Sequence, residues 1–387
     1  MRWLLIIPVI PIVFVNLTAI AANGHTWTVA QDFSGDFWNI QNAVDIASDG
    51  DVIEIGPGWY TEFQTVSGWE PYDVYVNLGE KSLTLIGSGA ALTVIGPLGP
   101  DQHHRYTYGI YAAWAERVVL ENLAVRNIDY GGSRAILQHG GHLTMNDCVF
   151  ADCYEGVNAN CDDGVVIDRC QFSNIRWDGL NLYLGSSPGS IGFCTFENVR
   201  TGVYLGSGQG VVFHDCTLRG GTTGIGFNYS SIGTIARCSF KEINDKAIIH
   251  GGSSTLALWD NEISVDDAVG VYLAGLRLYG SGNVIISGSW CLWGRSVNTK
   301  DFRDNQFLAG GPGAYAVRTA DYTGNPLRLD LRYNWWGTDD ADVIDALIYD
   351  GNDSAATNII VDYVPFLGQP VATEATTWSQ IKQIFRE

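Results

Sequence analysis

From about residue 134 the chain repeats itself every 22 or 23 residues, and this period constrains its folding more than any other feature. The stretches Ala135–Gly156, Val157–Gly179, Leu180–Gly202, Val203–Gly224, Ile225–Ala247 and Ile248–Gly270 begin alike, and five of them close on glycine. A second column lies midway through each: Cys148-Val149-Phe150, Cys170-Gln171-Phe172, Cys194-Thr195-Phe196, Cys216-Thr217-Leu218 and Cys238-Ser239-Phe240. Asn261-Glu262-Ile263 continues it with a polar residue in the cysteine position. Apolar and polar residues alternate over three to five positions within each unit, which is the period of a strand. A unit this small cannot bury its own apolar face, but copies stacked on one another can. A leucine-rich horseshoe has a similar period and needs a Leu-x-x-Leu-x-Leu frame, which is absent. The expected fold is all-β: a single-stranded parallel β-helix, each unit one coil, with equivalent residues ~4.8 Å apart.

With these columns the chain resembles the right-handed parallel β-helices of the pectate-lyase-like superfamily (pectin lyase fold), over about residues 26–367. The ends carry the same resemblance. Asp36 is placed to cap a helix whose apolar residues Phe37, Ile40, Val44 and Ala47 share one face. The stretch Ser34-Gly35-Asp36-Phe37 followed by Ile40-Gln41-x-Ala43-Val44 is similar to the opening helix of secreted β-helix proteins, where it plugs the open end of the stack. Asp51-Val52-Ile53-Glu54-Ile55 then alternates as a strand. Tyr333-Asn334-Trp335-Trp336-Gly337-Thr338 leads into the amphipathic Val343-Ile344-x-Ala346-Leu347, similar to a closing coil and short helical cap.

The domain reading has three parts. Residues 1–21 are expected to be a signal peptide: Arg2 leads an apolar run closed by Ala19-Ile20-Ala21, and Pro8 and Pro11 argue against the rival reading, a membrane anchor. Residues 22–370 form the β-helix with its caps, and 371–387 form a tail with Trp378, Ile381 and Phe385 on one helical face. The protein is therefore expected to be secreted, extracellular or periplasmic, with no membrane span after signal removal. Its 22 basic and 42 acidic residues give a net charge of −20, a field that repels nucleic acid and anionic membrane surfaces.

Eight cysteines in an exported chain ordinarily suggest disulfides. Five of them, Cys148, Cys170, Cys194, Cys216 and Cys238, occupy one inward column and read as a buried ladder of small apolar groups. Cys153, Cys161 and Cys291 remain for any bridge. His103-His104 beside Asp101 is a candidate metal pair, His139 and His142 flank a glycine turn, and His250 substitutes for an apolar residue inside. Zinc spacings, nucleophile elbows, phosphate loops and dinucleotide fingerprints are absent.

In a solenoid, function lies on an outward face built by many coils. The strand after each column glycine offers one outward column, Tyr111, Ile136, Asn158, Asn181 and Tyr204, and a second, Ala113, Gln138, Asn160 and Tyr183. The turn before them carries Arg134, Glu155, Arg176, Trp177, Asp178 and Arg200. Amides that hold hydroxyls, rings that pack on a pyranose and a few charges suit a sugar. Glu155 and Asp178 hold equivalent places one coil apart, so one carboxyl should have a raised pKa or the pair should hold a cation such as Ca²⁺. Asp178-Gly179-Leu180-Asn181 also resembles the Asp-Gly-Ile stretch of the superfamily's polysaccharide hydrolases. The resemblance further implies a calcium-bridged acidic substrate with an arginine as base, a role open to Arg200 or Arg176. Asp178, Glu155 and Arg200 are thus the candidate catalytic residues. Arg134, Gln138, Asn158, Asn160, Arg176, Trp177, Asn181, Tyr183 and Tyr204 are the candidate substrate-binding ones. Glu155 and Asp178 are also the candidate calcium ligands. The expected function is an exported β-helix that binds, and as an enzyme cleaves, a polysaccharide, of lyase or glycoside hydrolase type. The alternative is a non-catalytic adhesin or structural β-helix. Trp59, Tyr60, Trp69, Tyr72 and Tyr75 offer a further aromatic platform.

Overall fold

The computed structural model describes residues 24–370 apart from 68–69, 101–104, 229–230, 252–254, 275–276, 296–297 and 321. The chain winds through three sheets, called here A, B and C, with 12, 11 and 13 strands among the described residues, and neighbouring strands belong to successive coils. One coil runs from Glu155–Cys161 in sheet C, through Val165–Asp168 in sheet A and Gln171–Ser173 in sheet B, to re-enter sheet C at Asp178–Leu184. Pairing is parallel throughout the stack, Val157 opposite Leu180 and Phe172 opposite Phe196. This is the expected all-β right-handed parallel β-helix. The antiparallel pairing of Gln64–Val66 with Tyr72–Gly79 is a local departure at the edge of sheet C.

Coils this tight need sharp corners. Between sheets A and B a residue with positive φ recurs at Asn122, Asp147, Arg169, Phe193, Asp215, Arg237 and Asp260, and after sheet B another recurs at Asn127, Asp152, Asn174 and Asn198. Asn and Asp tolerate this left-handed geometry best, which accounts for their frequency there. The recurrent glycine has a different cause. A Cβ at Gly179 would stand 2.7 Å from the Gly202 carbonyl oxygen and 3.0 Å from Phe196 Cδ1, closer than either neighbour permits.

Inside, like stacks on like. Phe150, Phe172 and Phe196 lie with ring centroids 5.0 and 4.8 Å apart and planes within 20°. The five-cysteine column is fully buried, and its thiols turn to main-chain carbonyls, as Cys194 Sγ does 3.2 Å from Gly192 O. At Asn261 the column changes chemistry. Asn261, Asn283, Asn305 and Asn334 form a buried amide ladder in which each Nδ2 donates to the next Oδ1, at 2.8, 2.7 and 3.0 Å. All eight cysteines are free and buried, Cys153, Cys161 and Cys291 included. Burial pushes those three thiols up to about 12. Thiol titration should therefore find no fast-reacting group in the folded protein and eight after unfolding without reductant. Two or fewer after unfolding would mean that the ladder is oxidised.

Helix α1, Ile40–Ile46, lies at the N-terminal end of the stack with Ile40, Ala43 and Val44 buried against the first strands of sheets A and C. It starts later than the sequence suggests. Phe37 forms a parallel bridge with Val29, holding the chain extended, and Asp36 accepts instead from Thr28 N and Oγ1 at 2.9 and 2.7 Å. Asn39 is the cap, its Oδ1 accepting from Asn42 N. Helix α2, Ala341–Ala346, is capped by Asp340 and buries Ile344. Residues 1–21, His103-His104 and the tail 371–387 lie outside the described residues. Among the described residues no helix is long and apolar enough to cross a membrane.

Candidate functional site

The outer face of sheet C over residues 134–205 is built from three rows of aligned side chains. The row nearest the incoming turn holds Tyr108, Arg134, Glu155, Asp178 and Thr201. These residues start strands rather than lie in turns, so Glu155 and Asp178 are only 3% and 7% exposed. The middle row holds Tyr111, Leu137, Asn158, Asn181 and Tyr204, and the outer row Ala113, His139, Asn160 and Tyr183.

Two positions thereby correct the sequence expectation. Ala135, not the residue before it, occupies the glycine column opposite Gly156, so this coil is shifted by one. Ile136 and Gln138 consequently face inward, and Leu137 and His139 take their places outside. A slip of one residue reverses every side chain of a strand. Gln138 is fully buried, donating from Nε2 to the Gly140 carbonyl, and cannot touch a ligand on the outer face.

Glu155 is the most heavily bonded member of the group. Its Oε2 lies 2.8 Å from Arg134 Nε, and its Oε1 accepts from Asn158 Nδ2 at 3.0 Å and Asn181 Nδ2 at 2.9 Å. One carboxylate thus fixes two of the amides expected to bind sugar. Asp178 lies one coil further on. Burial, followed by the neighbouring Glu155 charge, raises its carboxyl to about 6, while a Thr201 hydrogen bond and the Arg200 charge pull the other way. Arg200 lies 3.7 Å above the Trp177 ring, and Trp177 stacks on Tyr154 at 6.1 Å with planes 7° apart. Tyr204 accepts from Asn228 Nδ2 at 2.8 Å and meets Tyr183 edge-on at 6.3 Å.

Arg176 does not join this group. It pairs with Asp129 at 2.8 Å and lines a shallow recess of about 340 Å³ with Asp152, Asn174 and Asn198, at the corner between sheets B and C. The Trp59–Tyr75 platform is also dispersed. Trp59 and Tyr60 belong to sheet B and Tyr72 and Tyr75 to sheet C, Tyr60 and Tyr75 are buried, and Trp69 lies outside the described residues. His250 is buried inside as expected, and burial lowers its imidazole to about 4. Sequence reasoning missed Thr201 and Tyr108, and it did not join Tyr72 and Tyr111 to Tyr108 in one ring cluster, whose centroids lie 5.1–5.6 Å apart beside Arg134. The outward period of sheet C, once anchored on Ala135, would have exposed both.

Calcium fits this donor set poorly. The ion takes six to eight oxygens, whereas Glu155 already faces a guanidinium and two amides, and the described residues hold no group of three acidic, His or Cys side chains able to bind a metal.

A family model described as "Right handed beta helix region" matches residues 108–263 and 191–294. No curated protein matches the chain in sequence. Among solved structures it is similar to the A-module of the mannuronan C-5 epimerase AlgE4 from Azotobacter vinelandii. That match has 14% identity and a TM-score of 0.56, covering 88% of this chain and 100% of that one. The A-module of AlgE6 from the same organism gives 15% identity and a TM-score of 0.50, covering 85% and 93%. At such identities the likeness is one of fold.

Proposed function

We propose that this chain, a right-handed parallel β-helix of the pectate-lyase-like fold, is an exported protein that holds a polysaccharide on the outer face of sheet C and carries out proton transfer on it at Asp178. The observation that carries this reading is a buried carboxyl held at about 6 beside amides, rings and two arginines. Such a group exchanges a proton near neutral pH, and Asn158, Asn160, Asn181, Trp177, Tyr183 and Tyr204 offer the hydrogen bonds and ring faces that a pyranose uses. Glu155 is spent on Arg134 and two amides, so it acts as a positioning residue. A glycoside hydrolase of the usual kind works with two carboxyl groups. The reading therefore favours chemistry with one carboxylate base, as in a lyase acting beside a uronate carboxyl, with Arg200 facing the substrate's charge. The structural neighbours named as epimerases of mannuronan make polymannuronate the first substrate to try. The second reading, a glycan-binding protein without catalysis, draws on the same full pairing of Glu155.

The test is a polysaccharide panel led by polymannuronate, with and without calcium. It is followed by ultraviolet absorbance for new double bonds, by reducing ends and by solvent deuterium entering the sugar. Turnover should rise with pH through about 6 as Asp178 ionises. Asp178→Asn should lower it about 10²–10⁴-fold. The stability effect has the opposite sign. Asp178 holds its proton more tightly folded, at about 6, than unfolded, near 3.8, so its stabilising contribution is complete below pH 4 and disappears as pH rises to about 6. Asp178→Asn should remove that penalty and melt higher than the parent above pH 6, by up to about 3 kcal/mol. Binding without turnover, unchanged by Asp178→Asn, would favour the second reading. No binding to any glycan would reject both.

A further inference from the structure

Five coils beyond Asp178 along the same face, the chemistry of sheet C changes. Strand pairing carries the Asp178 row through Thr201, Thr223, Lys246 and Val269 to Trp290. At ~4.8 Å per coil that is about 24 Å. The adjoining row brings Tyr272, Trp293, Arg318 and Tyr349 into line. Trp293 meets Trp290 and Tyr272 edge-on, with centroids 4.9 Å away in each case. The Arg318 guanidinium lies 4.5 Å from the Trp290 ring centroid and 5.7 Å from that of Tyr349. These side chains are part-exposed, so the rings and the cation form a surface open to solvent.

The charge pattern is unusual for this protein. With a net charge of −20 overall, these two rows from Lys246 to Tyr349 carry Lys246 and Arg318 and no carboxylate. Lys246 is paired with Asp245 at 2.7 Å. Arg318 forms no ion pair among the described residues, and its Nε and the Trp293 Nε1 reach no acceptor. Buried donors left without partners are expensive, and a fold keeps them where something else is gained. A guanidinium pre-set on two rings pays little further entropy to receive an anion, and the flanking indoles offer flat faces for a sugar ring.

We infer that Trp290, Trp293, Tyr272, Arg318 and Tyr349 form a second glycan subsite, which holds an anionic sugar of the same polysaccharide chain whose reacting part lies at Asp178. This rests on the reading that sheet C carries the glycan. The subsite takes one carboxylated or sulfated pyranose, with the acid on Arg318 and the ring against the indoles. Its purpose is to anchor a polymer at a distance, so it favours long chains over short ones.

The experiment measures binding of polymannuronate, of a mannuronate trimer, of dextran sulfate and of neutral dextran to the full chain, by tryptophan fluorescence and calorimetry. Trp293→Ala and Arg318→Gln should each weaken the polymer about tenfold or more and leave the trimer unchanged. Trp293→Phe and Arg318→Lys, which keep ring and charge and guard against misfolding, should fall in between. Dextran sulfate binding as well as polymannuronate would assign the site to anionic groups in general, and polymannuronate alone would assign it to carboxylates. Neutral dextran binding equally well would overturn the charge assignment. Unchanged polymer binding in Trp293→Ala and Arg318→Gln, with turnover still lost in Asp178→Asn, overturns the subsite and leaves the Asp178 reading standing. Weakened polymer binding in those two variants, with turnover unchanged in Asp178→Asn, removes the Asp178 reading and keeps the subsite. Self-association in light scattering, abolished by Trp293→Ala, would give the surface to a second copy of the chain and overturn the inference.

Discussion

Asn283→Ala should destabilise the protein by about 3–5 kcal/mol while opening only a small cavity. Asn283 Oδ1 accepts from both Asn261 N and Asn261 Nδ2, and its Nδ2 donates to the carbonyls of Leu258 and Ser281 and to Asn305 Oδ1. Alanine would strand donors above and acceptors below in a place that water does not reach. Asn283→Leu restores the volume without the hydrogen bonds and should be no better, which separates lost bonding from lost packing. Denaturant unfolding monitored by tryptophan fluorescence reads both. A loss below about 1 kcal/mol for either would mean that the ladder is a passive filler.

Phe172→Ala should cost about 3–5 kcal/mol, for a different reason. The ring is held between Phe150 and Phe196, and removing it leaves a gap that the stiff coils on either side cannot close. Trp177→Ala makes the informative contrast. Trp177 is 41% exposed and lies outside the stack, touching Tyr154 and Arg200, so its loss should cost under about 1 kcal/mol while weakening glycan binding. If Phe172→Ala and Trp177→Ala shift the unfolding midpoint equally, the separation of scaffold from site fails.

The fold was legible because its determinants are local and repeated. The Cys148 to Cys238 column and the glycines each recur once per coil, and every recurrence restates the same stacking demand. Register was harder. Ala135 fills the column that glycine fills in the next four coils, and a reading anchored on glycine alone placed Gln138 outside. The pairing of Glu155 with Arg134 escaped because both residues read as turn positions, whereas each starts a strand of sheet C. The aromatic surface around Trp290 escaped because the glycine period ends at Gly270, and Cys291 and Ala316 hold the column thereafter. The amide ladder announced itself at Asn261 alone. Its continuation needs irregular spacings, 22 residues to Asn283 and to Asn305 but 29 to Asn334.

Like residues meeting like has a consequence for how such a chain can change length. Cys170 contacts Cys148 and Cys194 through the same position of each coil, so inserting a copy of the coil between them would rejoin every column without a new kind of contact. Removing a single residue from a strand would instead turn an apolar row to water and a polar one to the core. Copy number is therefore the natural coordinate along which this architecture varies. The five coils between Asp178 and Trp290 act as a ruler, one whose marks are duplicated or deleted whole, so the spacing between these two residues can be reset without redesigning the surface around either.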